Sequence, residues 1–212
     1  MLDEILDKFC RIERENSGVE EVRLWINAVR RQEESLELFV EFGVPRTGGT
    51  IRRVISAEYP AAADIRILEE GSIELLDDHV LLWPYQQKKV PLYFSGVVSS
   101  PGALLGAIIE AHRHAVGSWF PLDTFVNSSL LQESVWKQGP ASGLYADGPE
   151  HLIQAYAGVL QRFGLTTSTP DPGPLAFLDM ADPDAKSHGP LRLLILGGSY
   201  VIAPRFSSRY EI

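Results

Sequence analysis

The spacing of apolar residues changes character several times along the chain. Over residues 2–15 apolar positions recur every three or four residues, which predicts an amphipathic N-terminal helix. From about residue 20 to 98, short runs rich in Val, Ile, Leu and aromatic residues alternate with turn residues, which is typical of antiparallel strands. The predicted strands cover residues 22–29, 36–42, 51–59, 65–68, 73–76, 80–83 and 92–98.

Helical periodicity returns over residues 99–164. Ser100 followed by Pro101 predicts a helix start, because proline is pre-set for the first helical position. Asp147 and Glu150 have the spacing of a capping box in front of another apolar stripe. The predicted helices cover residues 100–117, 127–138 and 147–164.

The last part of the chain predicts a loop and then a hairpin. Residues 165–190 are rich in Thr, Ser, Pro and Gly, which favours turns and connections. Two apolar runs within residues 191–210 flank Gly197 and Gly198, which supply the positive φ angles of a tight turn. Pro204 cannot donate to a strand ladder, so it indicates an edge or a bulge.

These segments predict one α+β domain over residues 1–212, because the strand-rich and helix-rich blocks are segregated rather than alternating. The domain would be mainly an antiparallel sheet built from residues 20–98 and completed by the hairpin at 191–210. The N-terminal helix would join it. A central block of about three helices would pack on one face of this sheet.

The composition excludes several classes of protein. The 212 residues are 45% hydrophobic and carry 19 Lys and Arg against 28 Asp and Glu, for a net charge of −9. Proteins that bind nucleic acids need clusters of Lys and Arg side chains, and such clusters are absent from this sequence. An acidic surface instead favours encounter with a protein that has a basic surface.

The sequence also predicts a cytoplasmic location. Cys10 is the one cysteine, so an internal disulfide is impossible. The first residues lack the basic and apolar regions of a signal peptide, and no apolar run reaches the roughly 18 residues of a membrane span. We therefore expect no membrane association.

No motif in the sequence predicts a cofactor or a metal. The phosphate-loop, dinucleotide, nucleophile-elbow and zinc-protease patterns are absent. His112 and His114 are two residues apart on a predicted helix, so their side chains point about 200° apart and cannot share one ion.

Two aromatic segments hold the candidate site residues. One lies between two predicted helices, at residues 117–127, and the other follows a predicted strand, at residues 83–94. Each could anchor the core or contact a partner. His112 with Asp123 is the one catalytic pair that the sequence offers, and a buried core histidine is the competing interpretation. The candidate binding residues are Trp83, Tyr85, Trp119, Phe120, Asp123 and Asn127.

The sequence favours a non-enzymatic protein-binding module with an acidic surface, of the adaptor or immunity and inhibitor type. The alternative is a small-ligand-binding protein or an enzyme, with a pocket between sheet and helices that uses His112 and Asp123.

Overall fold

Antiparallel sheets dominate both of the compact units into which the chain divides. The computed structural model describes residues 23–44, 49–67, 71, 73–132, 136, 139–170 and 188–211. Unit 1 comprises residues 1–82 and 181–212, and unit 2 comprises residues 83–180. The prediction of a single domain stays a prediction.

Unit 1 contains two four-stranded antiparallel sheets among its described residues. The first has the strand order β1-β2-β3-β11 and the second has the order β4-β10-β9-β5. The strands are β1 Arg23–Arg31, β2 Ser35–Val44, β3 Gly49–Glu58, β4 Ala62–Asp64, β5 Ile73–Leu76, β9 Arg192–Leu196, β10 Ser199–Ala203 and β11 Arg205–Tyr210.

The core of unit 1 follows from the alternation that the sequence carries. On β2 every second side chain is apolar and buried, whereas Phe39 and Glu41 between them are partly exposed. The buried residues of both sheets join one cluster, which stabilises the sheets by removing apolar area from water. Its members include Leu24, Ile26, Leu38, Val40, Phe42, Ile55, Leu194, Leu196 and Val201.

The C-terminal hairpin is confirmed. β9 pairs with β10 around Gly197, whose φ of 61° favours glycine. Pro204 separates β10 from β11, and β11 then pairs with β3 in the other sheet. The strand order makes β11 an edge strand, so proline interrupts the chain where it passes from one sheet to the other.

Unit 2 has a three-stranded antiparallel sheet in the order β7-β6-β8, with helices packed on it. The last helix, α3, contacts all three strands and also helix α2. The elements are α1 Trp83–Gln86, β6 Lys89–Gly96, α2 Pro101–Val116, β7 Ala141–Pro149, α3 Glu150–Arg162 and β8 Thr166–Ser168.

The predicted architecture of the central block is wrong. Helix α3 packs on the sheet of its own unit and α2 packs against α3, not on a sheet built from residues 20–98 and 191–210. Residues 141–149 and 166–168 form strands, although the sequence predicts a helix start at Asp147 and a loop over residues 165–190. These strands depend on pairing with β6, which lies more than 40 residues away in the chain. Pairing of this kind produces no local periodicity in the sequence, so the pattern of apolar residues does not predict the strands.

Three local predictions are also corrected. Residues 80–83 form a 3-10 turn that leads into α1, not a strand, and the predicted helix at 127–138 is described only as a 3-10 turn at Ser128–Leu131. Helix α3 begins after Pro149 with no side-chain cap. Asp147 instead pairs with Lys89 across the sheet, 2.7 Å from Oδ2 to Nζ. The predicted N-terminal helix lies outside the described residues.

Candidate protein-binding face

His112 is a buried member of the core of unit 2. It lies on α2, and its two ring nitrogens both have partners: Nδ1 is 2.6 Å from the Tyr156 hydroxyl and Nε2 is 2.7 Å from the Phe120 carbonyl oxygen. A carbonyl can only accept, so Nε2–H donates to it, and in the tautomer that carries its proton at Nε2 the other nitrogen, Nδ1, accepts from the Tyr156 hydroxyl. This tautomer is assigned from the partners. The imidazole thereby joins both helices to the segment after α2.

The tyrosines around this histidine are held in their neutral form. Burial raises the pKa of Tyr145 and of Tyr156 well above the usual range, and the nearby Tyr145 adds to the effect on Tyr156. A neutral Tyr156 keeps the proton that it donates to His112. No described contact joins His112 to Asp123, which is exposed on a 3-10 turn at Leu122–Thr124.

The aromatic segment at residues 117–127 is divided between the core and the surface. Phe125 is buried and its ring meets that of Phe120 edge-on at 5.2 Å. Trp119 is 37% exposed. Asn127 holds the end of this segment against β7 with two side-chain hydrogen bonds. Its Oδ1 accepts from the Ser129 amide, and its Nδ2 donates to the Leu144 carbonyl oxygen.

The other predicted cluster lies at α1. Trp83 and Tyr85 are both half-buried, and the Trp83 ring lies 5.9 Å from the imidazole of His151 on α3. This contact holds α1 against α3 within unit 2. The binding role of the two aromatic clusters stays a prediction.

The face of the unit 2 sheet that points away from α3 carries exposed apolar side chains. Along β6 the alternate residues Val90, Leu92 and Phe94 are buried, and Tyr93 between them is 44% exposed. Tyr93 pairs directly with Leu144 on β7, which is 36% exposed. Cross-strand partners on one face lie within contact distance, so these two side chains form one apolar patch. We call this surface the open face.

The rest of the open face is small, polar and without net charge. Ser168 pairs with Tyr93 from the other side, and Ser95 pairs with Ser142. The charged side chains that border it, Lys89 and Asp147, neutralise each other.

The sequence contains a signal for Tyr93 but not for its partner. Tyr93 lies within the aromatic segment at residues 83–94, and its alternation with buried neighbours on a strand would have placed it on the outer face. Leu144 follows Gly143 in a segment for which the sequence predicts neither a helix nor a strand. Only the strand pairing brings it opposite Tyr93.

Within the described ranges, no three His, Cys, Asp or Glu side chains come together in a way that could hold a metal ion. In the described part of the chain, none of the helices combines the length and apolarity that a bilayer crossing needs.

Comparison with known proteins gives no family for this chain: no family model, no curated protein and no solved structure matches it.

Proposed function

We propose that the chain is a non-enzymatic protein-binding module and that the open face of unit 2 contacts the partner. The observation that carries the proposal is the exposed Tyr93–Leu144 pair in the middle of an ordered sheet. Tyrosine is enriched at protein interfaces, where it supplies a large contact area at a low entropic cost.

The shape of this surface supports a macromolecular partner. A sheet face offers area without enclosure, whereas sites for small molecules are concave. The polar groups around the apolar pair are hydroxyls, which can form the hydrogen-bonded rim of an interface.

The charge of the chain supports a different protein rather than a second copy. Unit 1 carries 21 Asp and Glu against 14 Lys and Arg, and unit 2 carries 7 against 5. Two such chains repel each other over long distances, whereas a basic protein is attracted. The partner would therefore have a basic surface and an apolar contact patch. This chain would act on that partner as an inhibitor or an adaptor.

Photo-crosslinking in the cells that make the protein tests this proposal. A benzophenone-bearing residue replaces Leu144 in one sample, and in the control it replaces Glu110, which is exposed on α2. We expect one discrete adduct with a different protein from position 144 only, and its loss when Tyr93→Thr is added. Threonine keeps the preference for a strand while removing the ring.

Two results would contradict the proposal. One is the same set of adducts from both positions. The other is an adduct at twice the mass of the chain, which would mean that the open face contacts a second copy.

A further inference from the structure

Within the described residues of unit 1, one mostly buried guanidinium group has no acid to neutralise it. Arg53 is on β3 and is the direct cross-strand partner of Val40 on β2, so its side chain points to the same face as the core residues. It is 7% exposed. Among the described residues it has no ion pair or hydrogen bond, and its Nε is shielded from water without a partner. A buried charge in this state is costly unless a ligand compensates it.

Among the described residues, the Arg53 guanidinium contacts the ring of one tyrosine. Its Cζ lies 3.7 Å from the centre of the Tyr210 ring, on the neighbouring strand β11. The guanidinium carbon lies over the face of this ring, a cation–π contact, and the Nε–H has no hydrogen-bond partner among the described residues. Tyr210 is itself 65% exposed on an edge strand, so this part of the sheet meets solvent.

A second polar group beside Arg53 is also unpaired. The Ser208 Oγ is buried without a partner. Ser208 pairs with Ile55 and Tyr210 pairs with Arg53, so Ser208 and Arg53 are diagonal neighbours on one face. Such neighbours have Cα atoms about 7–8 Å apart, within reach of a long side chain. Buried polar groups are rarely left unpaired, and two in one place indicate a polar ligand.

We propose that Arg53, Ser208 and Tyr210 form a binding site for an oxyanion, a carboxylate or phosphate group of a small molecule. The fork of the Arg53 guanidinium donates two parallel hydrogen bonds to the oxyanion, the geometry in which arginine binds such groups most strongly. The Ser208 hydroxyl donates a third. The Tyr210 ring holds the guanidinium in place.

The arrangement favours a small ligand over a protein surface. Arg53 is 7% exposed and the Ser208 Oγ is buried, so a compact anionic group fits these donors better than a broad protein face does. Arg52, the next residue along β3, shows the contrast: it points to the other face, is exposed, and already pairs with Glu41 at 3.2 Å. It is therefore a matched control for the charge of Arg53.

Titration with acetate and with inorganic phosphate, at an ionic strength kept constant with chloride, tests the site. The readouts are the NMR resonances of the Arg53 Nε–H and of the Ser208 and Tyr210 amides. We expect saturable shifts for at least one anion in the full chain and in Arg52→Met. Arg53→Met should weaken binding at least about tenfold, and Arg53→Lys should also weaken it, because lysine keeps the charge but loses the fork.

The two anions distinguish the ligand classes: saturation by acetate alone indicates a carboxylate, and saturation by phosphate alone indicates a phosphate. The proposal is overturned if neither anion saturates below about 10 mM. It is also overturned if Arg53→Met or Arg53→Lys binds the anion as tightly as the unsubstituted chain does. If Arg53→Met does not fold, the affinity of Arg53→Lys alone tests the proposal.

Discussion

Replacing His112 by leucine would remove both hydrogen bonds of the imidazole and leave two groups without partners. The Tyr156 hydroxyl is fully buried, and the Phe120 carbonyl is partly buried. Each orphaned buried group costs about 1–3 kcal/mol, and the carbonyl recovers part of its loss by contacting water. We expect His112→Leu to lower the free energy of unfolding of unit 2 by about 2–4 kcal/mol.

The geometry also predicts coupling between His112 and Tyr156. Tyr156→Phe alone leaves the His112 Nδ1 without a donor, at a cost of about 1–2 kcal/mol. In His112→Leu/Tyr156→Phe neither of these groups is left unpaired, so the double variant should be more stable than the sum of the single effects by at least about 1 kcal/mol.

Urea unfolding followed by tryptophan fluorescence measures these effects, because Trp83, Trp119 and Trp136 belong to unit 2 and only Trp25 to unit 1. The control is His114→Leu, an exposed position on the same helix, which should change the stability by less than about 0.5 kcal/mol. A loss below about 1 kcal/mol for His112→Leu, or strict additivity in the double variant, would refute the reasoning.

Three further predictions concern unit 1 and the surface of helix α2. A Cβ at Gly71 would lie 2.1 Å from the Gly197 Cα, so Gly71→Ala should destabilise unit 1 by more than about 2 kcal/mol. A Cβ at Gly106 on α2 would meet open space, so Gly106→Ala should stabilise the protein by about 0.5–1 kcal/mol. Thermal unfolding measures both effects. The Asn27 amide, with help from Arg52, holds the pKa of Glu41 below its usual value despite an opposing effect of desolvation. Glu41 therefore contributes stability above its unfolded pKa that is lost as the pH falls through its folded pKa, and Asn27→Ala should raise that folded pKa in an NMR titration.

Several elements that a local pattern determines are predicted correctly from the sequence. The alternation of β2, the proline start of α2 and the glycine turn between β9 and β10 all appear in the structure, because each depends on residues that are near one another in the chain. Asp147 shows the limit: its spacing from Glu150 fits a cap, yet its carboxylate pairs with Lys89 on another strand.

The candidate sites were less predictable because they depend on pairing between distant segments. Leu144 becomes part of an apolar patch only through its register with Tyr93. Arg53 looks like any strand arginine beside Arg52 until the register places it on the inner face. His112 was expected on an apolar helix face, but its partners Tyr156 and Phe120 could not be named from spacing.

The central claim is that the open face of unit 2 binds a partner protein, and the affinity of Tyr93→Thr for the protein captured at position 144 tests it most directly. Titration calorimetry with that purified protein should show at least about tenfold weaker binding for Tyr93→Thr, a loss of about 1.4 kcal/mol, and unchanged binding for Glu110→Gln. Equal affinities of Tyr93→Thr and the unsubstituted chain would contradict the claim.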